Sequence, residues 1–495
     1  MLLAMKGGKT RVAGIGFQLK ALYDQSSFFN QLRAYGYSSV TAVGPMLLTV
    51  VLITCAREWL LFLQASAGEV NLFMAAIEYA FVFSQLLTGG FVFVISRYVA
   101  DQTFIEKEEN VLSSMYGAIG IVVFLGFIST ILFYWTSPLS FSFKLITYLF
   151  FTELSIIWIL SMYVSALKDY KTIVRSYVVG VLISAILIWI LTYVFHMVTA
   201  MAVFIGLVIG FFYILAKLLH DIAKYFQINN KQYFHFLIYI EKHPYLFLIG
   251  ILYYFGLYGH NLAVWLGERR IVVEETYVMA PYYDTPVFYA YLSILPALIL
   301  FMVTLETTFY EAYKKYYGRI LNGFPIQDIE NAKHEMYRVL KHEILFMAQV
   351  QLLVCFAFLF LGVRFLPFLG MTQDQIDIFM IVVLGTWFLG LVITFFLILL
   401  YFDEQKAACL LIGSYTVLSC TLTFISMKLF HQYGGGMFLA ALISLIYGCR
   451  ILMSRLNDID YTTFCSQPII YKETITKTEK LLIKLGAHEE KEMSK

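Results

Sequence analysis

Charge is what this sequence holds least of. Asp, Glu, Lys and Arg make up 14% of its 495 residues, against 60% hydrophobic residues. A soluble domain carries about 25% charged residues, and no water-soluble fold of this length could hide so much apolar surface. Lipid must therefore be the solvent for much of the chain. Cysteine is sparse as well. The six (Cys55, Cys355, Cys409, Cys420, Cys449, Cys465) form no CxxC pair and no His-interleaved spacing, which argues against structural disulfides and zinc. Five lie in or beside apolar runs, where cysteine behaves as a small hydrophobe. The sequence has no Walker loop, GxSxG elbow or HExxH motif. A primary ATP-driven pump would need another subunit to supply its ATPase, and no polar segment is long enough for a separate catalytic domain. We expect no enzyme activity, no cofactor, no metal and no nucleic-acid partner. A cleavable signal peptide is also not expected, because the first apolar run begins near residue 38, behind five Lys/Arg.

What is present is a series of apolar runs. An α-helix needs about 20 apolar residues to cross a hydrocarbon core of about 30 Å. Twelve runs approach that length: 38–63, 72–95, 112–135, 145–166, 173–195, 198–219, 244–266, 287–311, 342–363, 376–401, 408–427 and 434–453. The polar stretch from His220 to His243 divides them six and six. The fold class expected is all-α and polytopic: a segment 1–37, a first lobe 38–219, a connector 220–243, a second lobe 244–453 and a tail 454–495. With both termini cytoplasmic, 29 of the 35 Lys/Arg fall on the inner side, as the positive-inside bias requires. A multi-pass plasma-membrane protein follows, with the lipid bilayer as its first partner.

Local signals add detail. Ile15 to Tyr35 mixes apolar and charged residues and suits a helix lying in the inner interface. Pro45 and Pro296 predict kinks in spans one and eight. Between Ala312 and Lys341, Ile326, Ile329, Met336 and Leu340 recur at helical spacing among charges, predicting an amphipathic helix on the cytoplasmic surface. Gly267 to Pro286 reads as the long external loop, and the last dozen residues read as disordered.

Ionisable groups inside spans are costly and are functional candidates by default. Arg57, Glu58, Glu78 and Glu153 all belong to the outer half of the first lobe. Glu78 and Gln85 are seven residues apart and share a helix face. An internal ion pair, Arg57 with Glu78 or Glu153, has about the same weight as a polar path lined by these groups. In span seven, Tyr254, Tyr258, Asn261 and Trp265 form one stripe; Glu306, Tyr310, Tyr313 and Tyr317 repeat the spacing. Such rings could stack on sugars, although Tyr and Trp also gather at membrane interfaces without any ligand. His260 reads as a hydrogen-bonded helix residue rather than a proton relay, since no carboxylate sits one turn away.

Seven stretches stand out in order along the chain. Four are Ala13 to Leu19 (AGIGFQL), Leu32 to Pro45 (LRAYGYSSVTAVGP), Ser96 to Asp101 (SRYVAD) and Tyr283 to Leu298 (YDTPVFYAYLSILPAL). Glu306-Thr307 with Phe309 to Tyr317, Tyr401 to Gln405 (YFDEQ) and Leu456 to Pro468 (LNDIDYTTFCSQP) complete the set. Together they resemble the PelG family of Pel exopolysaccharide systems. One departure is His260-Asn261, where the resemblance leads to an Asp-Lys pair. The resemblance implies the multidrug/oligosaccharidyl-lipid/polysaccharide exporter superfamily: two pseudo-symmetric six-helix lobes around a central cavity with alternating access. It also implies a polysaccharide substrate rich in N-acetylgalactosamine, a cytoplasmic glycosyltransferase as partner and other subunits of the Pel membrane complex. Rival readings are a cation-coupled drug or lipid-linked oligosaccharide flippase of the same fold, an integral-membrane transferase, or a scaffold for the synthase.

Overall fold

The computed structural model describes residues 43–167, 170–304, 308–461 and 476–484. Twelve helices or helix pairs are long and apolar enough to cross a membrane. Six come before the connector: α1 (Gly44–Phe62), α2 (Ala67–Phe104), α3 (Glu109–Tyr134), α4 (Phe141–Leu167), α5 (Tyr170–Trp189) and α6 (Ala200–Tyr225). After a one-turn helix at Ile238–Lys242 come α7 (Pro244–Trp265) and a hairpin of β1 (Ile271–Val273) and β2 (Tyr277–Met279). Then follow α8 (Pro281–Tyr291), α9 (Leu295–Thr304), α10 (Tyr310–Leu321), α11 (Ile326–Phe365), α12 (Gln373–Tyr401), α13 (Gln405–Phe430), α14 (Gly435–Asn457) and α15 (Lys477–Lys484). The expected interfacial helix at 15–35, Cys465 and the last eleven residues lie outside the described residues.

Helix boundaries follow local chemistry. Ser66 caps α2 by accepting from the Glu69 amide at 3.3 Å. Pro45 stands in the first turn of α1 rather than kinking its interior, a position where its missing N–H costs nothing. At Pro296 the expected break is present, as a 3-10 turn over Leu292–Ile294 between α8 and α9. Span eight begins at Pro281, earlier than its hydropathy suggested, because proline again opens the helix. The amphipathic segment after residue 326 is helical but is not a separate surface helix. It is continuous with span nine in α11, whose 40 residues reach about 60 Å.

Packing divides into two apolar clusters. One is built from α1–α6, where Phe204 meets Phe73, Phe143 and Phe150 with ring centroids 5.6–5.8 Å apart. The other is built largely from α7–α14. Lipid offers no hydrophobic drive between helices, so close contact comes from small residues. At the crossing of α2 and α7, a Cβ on Gly89 would lie 2.8 Å from the Gly250 carbonyl oxygen. The two backbones touch there because neither carries a side chain.

The hairpin, expected as a loop, packs on the first cluster although it belongs to the second half of the chain: Val273, Tyr277 and Met279 are buried in it. The Tyr79 hydroxyl donates to the Val278 carbonyl (2.9 Å) and accepts from its amide (3.0 Å). Tyr277 meets the Tyr134 hydroxyl at 2.5 Å, and Thr276 meets Ser137 at 2.8 Å. The bundle therefore has a hairpin end and a connector end. At the connector end, Ser113 donates to Asn229 and Asn230, Asn230 bonds Asn110, and His235 Nδ1 lies 3.1 Å from the Tyr98 hydroxyl.

Candidate functional site

The seam between α2 and α7, with the first turn of α8 bonded to α7 beside it, gathers most of the polar groups singled out in the sequence. Glu78 and Gln85 do share a face of α2, and α7 presents its stripe to them. Tyr258 donates to Gln85 Oε1 at 2.5 Å. Tyr254 packs its ring against Gly89. Near the hairpin end, Tyr79 stacks on Trp265 with centroids 5.1 Å apart and planes 5° from parallel.

The centre of the site is Asp284, which the sequence reading passed over because it took residues 267–286 as a loop. Asp284 Oδ1 accepts from Asn261 Nδ2 at 2.8 Å; Oδ2 accepts from Trp265 Nε1 at 2.9 Å and from the Ala280 amide at 2.7 Å. Asp284, Asn261 and Trp265 are all buried. Three donors on one carboxyl fix its position and satisfy both oxygens. Glu78 of α2 lies within electrostatic range of Asp284, so the cluster brings two carboxyl groups together across the seam. The signal that could have found Asp284 is Pro281: proline at the first helical position marks a helix start, which puts Asp284 in the first turn.

His260 is fully buried one turn away. Tyr283 donates to its Nδ1 at 2.9 Å, and its Nε2 lies 2.5 Å from the Tyr291 hydroxyl, which also donates to the Leu257 carbonyl. A neutral imidazole with its proton on Nε2 satisfies that pattern. Where the resemblance led to Asp-Lys, the chain has His260 in a tyrosine pair and Asn261 on Asp284.

Other candidates stand apart. Arg57 pairs with its neighbour Glu58 at a partly exposed position, not with Glu78 or Glu153 as weighed above. Glu153 of α4 is buried, and its Oε2 has no hydrogen-bond partner among the described residues. Glu306 lies outside the described residues. Tyr310 opens α10 half-buried, and Tyr313 and Tyr317 are buried against each other and near Tyr401, so those two rings are core packing. Among the described residues, no three His, Cys, Asp or Glu side chains converge as a metal ion would require. What the seam can do is hold two apolar surfaces together through buried polar contacts and release them by exchanging those contacts for water or a polar ligand.

The sequence matches the profile of a family described as "PelG: Putative exopolysaccharide Exporter (EPS-E)" over residues 12–464. No curated protein sequence is significantly similar. Solved structures are similar in fold. The Vibrio cholerae MATE transporter VcmN aligns with a TM-score of 0.59 at 12% identity, covering 91% of this chain and 99% of its own. A MOP-superfamily transporter from Pyrococcus furiosus gives 0.57 at 13% identity, covering 86% and 96%. A multidrug-resistance MATE-family transporter in an inward-facing conformation gives 0.54 at 12% identity, covering 83% and 96%.

Proposed function

The chain belongs to the PelG family of exopolysaccharide exporters and has the fold of MATE-type membrane transporters, and from that premise we propose that its cargo is a Pel-type polysaccharide rich in N-acetylgalactosamine. A cytoplasmic glycosyltransferase and the other Pel membrane subunits supply the polymer. The connector end faces the cytoplasm, as the distribution of Lys and Arg favours. The halves 38–219 and 244–453 act as two lobes that part along the α2–α7–α8 seam.

The observation that carries this reading is the family match over residues 12–464. The seam supports it: Tyr79, Tyr254, Tyr258 and Trp265 bring ring faces to the same interface as Glu78, Gln85, Asn261 and Asp284. Parted, they would offer aromatic faces for sugar rings and polar groups for their hydroxyl edges. Arg57 and Glu58 form a partly exposed pair at the margin of this path, whereas Glu153 acts within the first lobe.

The test is export in a strain lacking this protein, complemented by the wild type or by Tyr258→Ala or Glu78→Gln. Secreted polymer, intracellular polymer and recovery of the synthase complex are measured together. The expected result is loss of secreted polymer in the deletion while the synthase complex persists, with partial loss in both variants at unchanged abundance. Normal secretion without the protein would overturn the reading. Loss of the synthase complex itself would replace an exporter with a scaffold.

A further inference from the structure

The two halves are fastened at both ends of the seam, and the fastenings differ in kind. At the hairpin end they are held by half-buried hydroxyl contacts and by Tyr277, which is buried within the first cluster. At the connector end they are held by exposed ions. Arg97 of α2 donates through Nε to Asp101 (3.2 Å) on its own helix and reaches Asp403 across the seam with its Nη1 at 3.5 Å. Asp403 lies in the turn between α12 and α13 and holds a left-handed backbone, φ 60°, which a non-glycine residue keeps only where its surroundings over-determine it.

Those surroundings are specific. Gln405 Nε2 donates to Asp403 Oδ1 at 2.8 Å and sits 3.3 Å from His243 Nδ1, at the first residue before α7. Glu404 of the same turn pairs with Arg455 of α14 at 3.7 Å. Gln405 of α13, Arg455 of α14 and the last connector residue His243 thus brace one turn, and its Asp403 meets the first half through Arg97. Arg97 is braced in turn: Tyr239 of the connector hydrogen-bonds Asp101 and Gln102 on α2. Burial and the nearby Arg97 guanidinium push His243 below its ordinary range, so it meets Gln405 as a neutral ring.

We infer that the Arg97–Asp403 contact is the cytoplasmic gate latch of this transporter, closing the connector end of the seam and opening to admit substrate. The inference rests on the exporter reading above. A single exposed ion pair is the kind of contact that water can replace, whereas parting the hairpin end would pull the buried Tyr277 ring out of the first cluster. The turn between α12 and α13 stays with the second half, and Arg97 leaves with α2. The turn at His243, between the one-turn helix Ile238–Lys242 and Pro244, is the hinge, because the connector before it is bonded to the first half and Pro244 begins the second.

The test uses the full chain in lipid nanodiscs, with native cysteines replaced and spin labels at Lys107→Cys and Lys406→Cys, both exposed and on opposite halves. The latched protein should give one dominant short distance. Arg97→Asp or Asp403→Arg should raise the long-distance population several-fold, and the double swap should restore the short one. Arg97→Gln keeps size without charge and serves if a reversal fails to fold; it should open the latch as well. An unchanged distribution in Arg97→Gln, or a swap that does not restore it, overturns the latch. Secreted polymer is scored in parallel. Failure of the distances sinks the latch alone, while distances that respond in a protein not needed for secretion sink the exporter reading alone.

Discussion

Asp284 and Glu153 are both buried carboxyl groups, and their surroundings set opposite expectations. Asp284 has a donor on each oxygen and a third besides, so Asp284→Ala strands Asn261, Trp265 and the Ala280 amide. Each stranded group costs about 1–3 kcal/mol, and thermal unfolding in detergent should move down by several degrees. Glu153 has a buried oxygen with no partner among the described residues, so removing it should help: Glu153→Leu is expected to raise the unfolding temperature. A fall would show that the carboxyl has a partner such as bound water. Arg57→Ala should leave abundance unchanged, since its partner is its exposed neighbour and such pairs contribute about 0–1 kcal/mol. Glu78 and Glu153 were legible in the sequence because a charge inside an apolar run has no cheap alternative. Asp284 was not, because its flanking tyrosines and prolines read equally well as a loop and only three-dimensional contact shows what holds it.

Among the elements, α2 and α7 set the geometry of the seam, and the close approach at Gly89 and Gly250 controls their distance. Gly250→Leu places a branched side chain where the Gly89 backbone already lies. The halves must separate there, at a cost of about 1–3 kcal/mol or more, and the Tyr258–Gln85 bond should break. Reduced membrane abundance and faster proteolysis at the connector would report it. The tail helix α15 offers a pH test. Glu241 accepts from the Lys477 and Thr478 amides and the Thr478 hydroxyl. These donors, the Thr478 amide foremost, hold its carboxyl below the usual glutamate range. A depressed value means that the docking contribution is complete above the ordinary glutamate value of about 4.3 and is lost as pH falls through the lower one. Amide exchange at Lys477 and Thr478 should quicken in that acidic window, and in Glu241→Gln at neutral pH. Twelve spans were readable because each is a predominantly apolar run of about 20 residues or more between polar segments. The length of α11 was not, since its polar and apolar parts suggested a boundary. No Gly or Pro falls between Ile326 and Leu361 to end the helix, so it runs through.

For the whole molecule, orientation is the property on which every mechanistic statement turns. Cysteine placed at Glu274, in the exposed hairpin turn, should label with an impermeant thiol reagent in intact cells. Cysteine at His334, exposed on α11, should label only after permeabilisation. The opposite pattern would invert the transporter and make the Arg97 latch an outer one. The hairpin carries a further consequence, for the order of synthesis. Tyr79 leaves the ribosome 199 residues before Val278, its partner, and Ser137 precedes Thr276 by 139. At roughly 5–20 residues per second, Tyr79 waits on the order of ten seconds or longer. Through that interval the first six helices lie in the bilayer with a bare patch where Tyr277 will sit, and they cannot complete their own core. Made alone, residues 1–243 should therefore be degraded, and co-production of residues 244–495 as a separate polypeptide should rescue them, because the missing piece of the first half is encoded in the second.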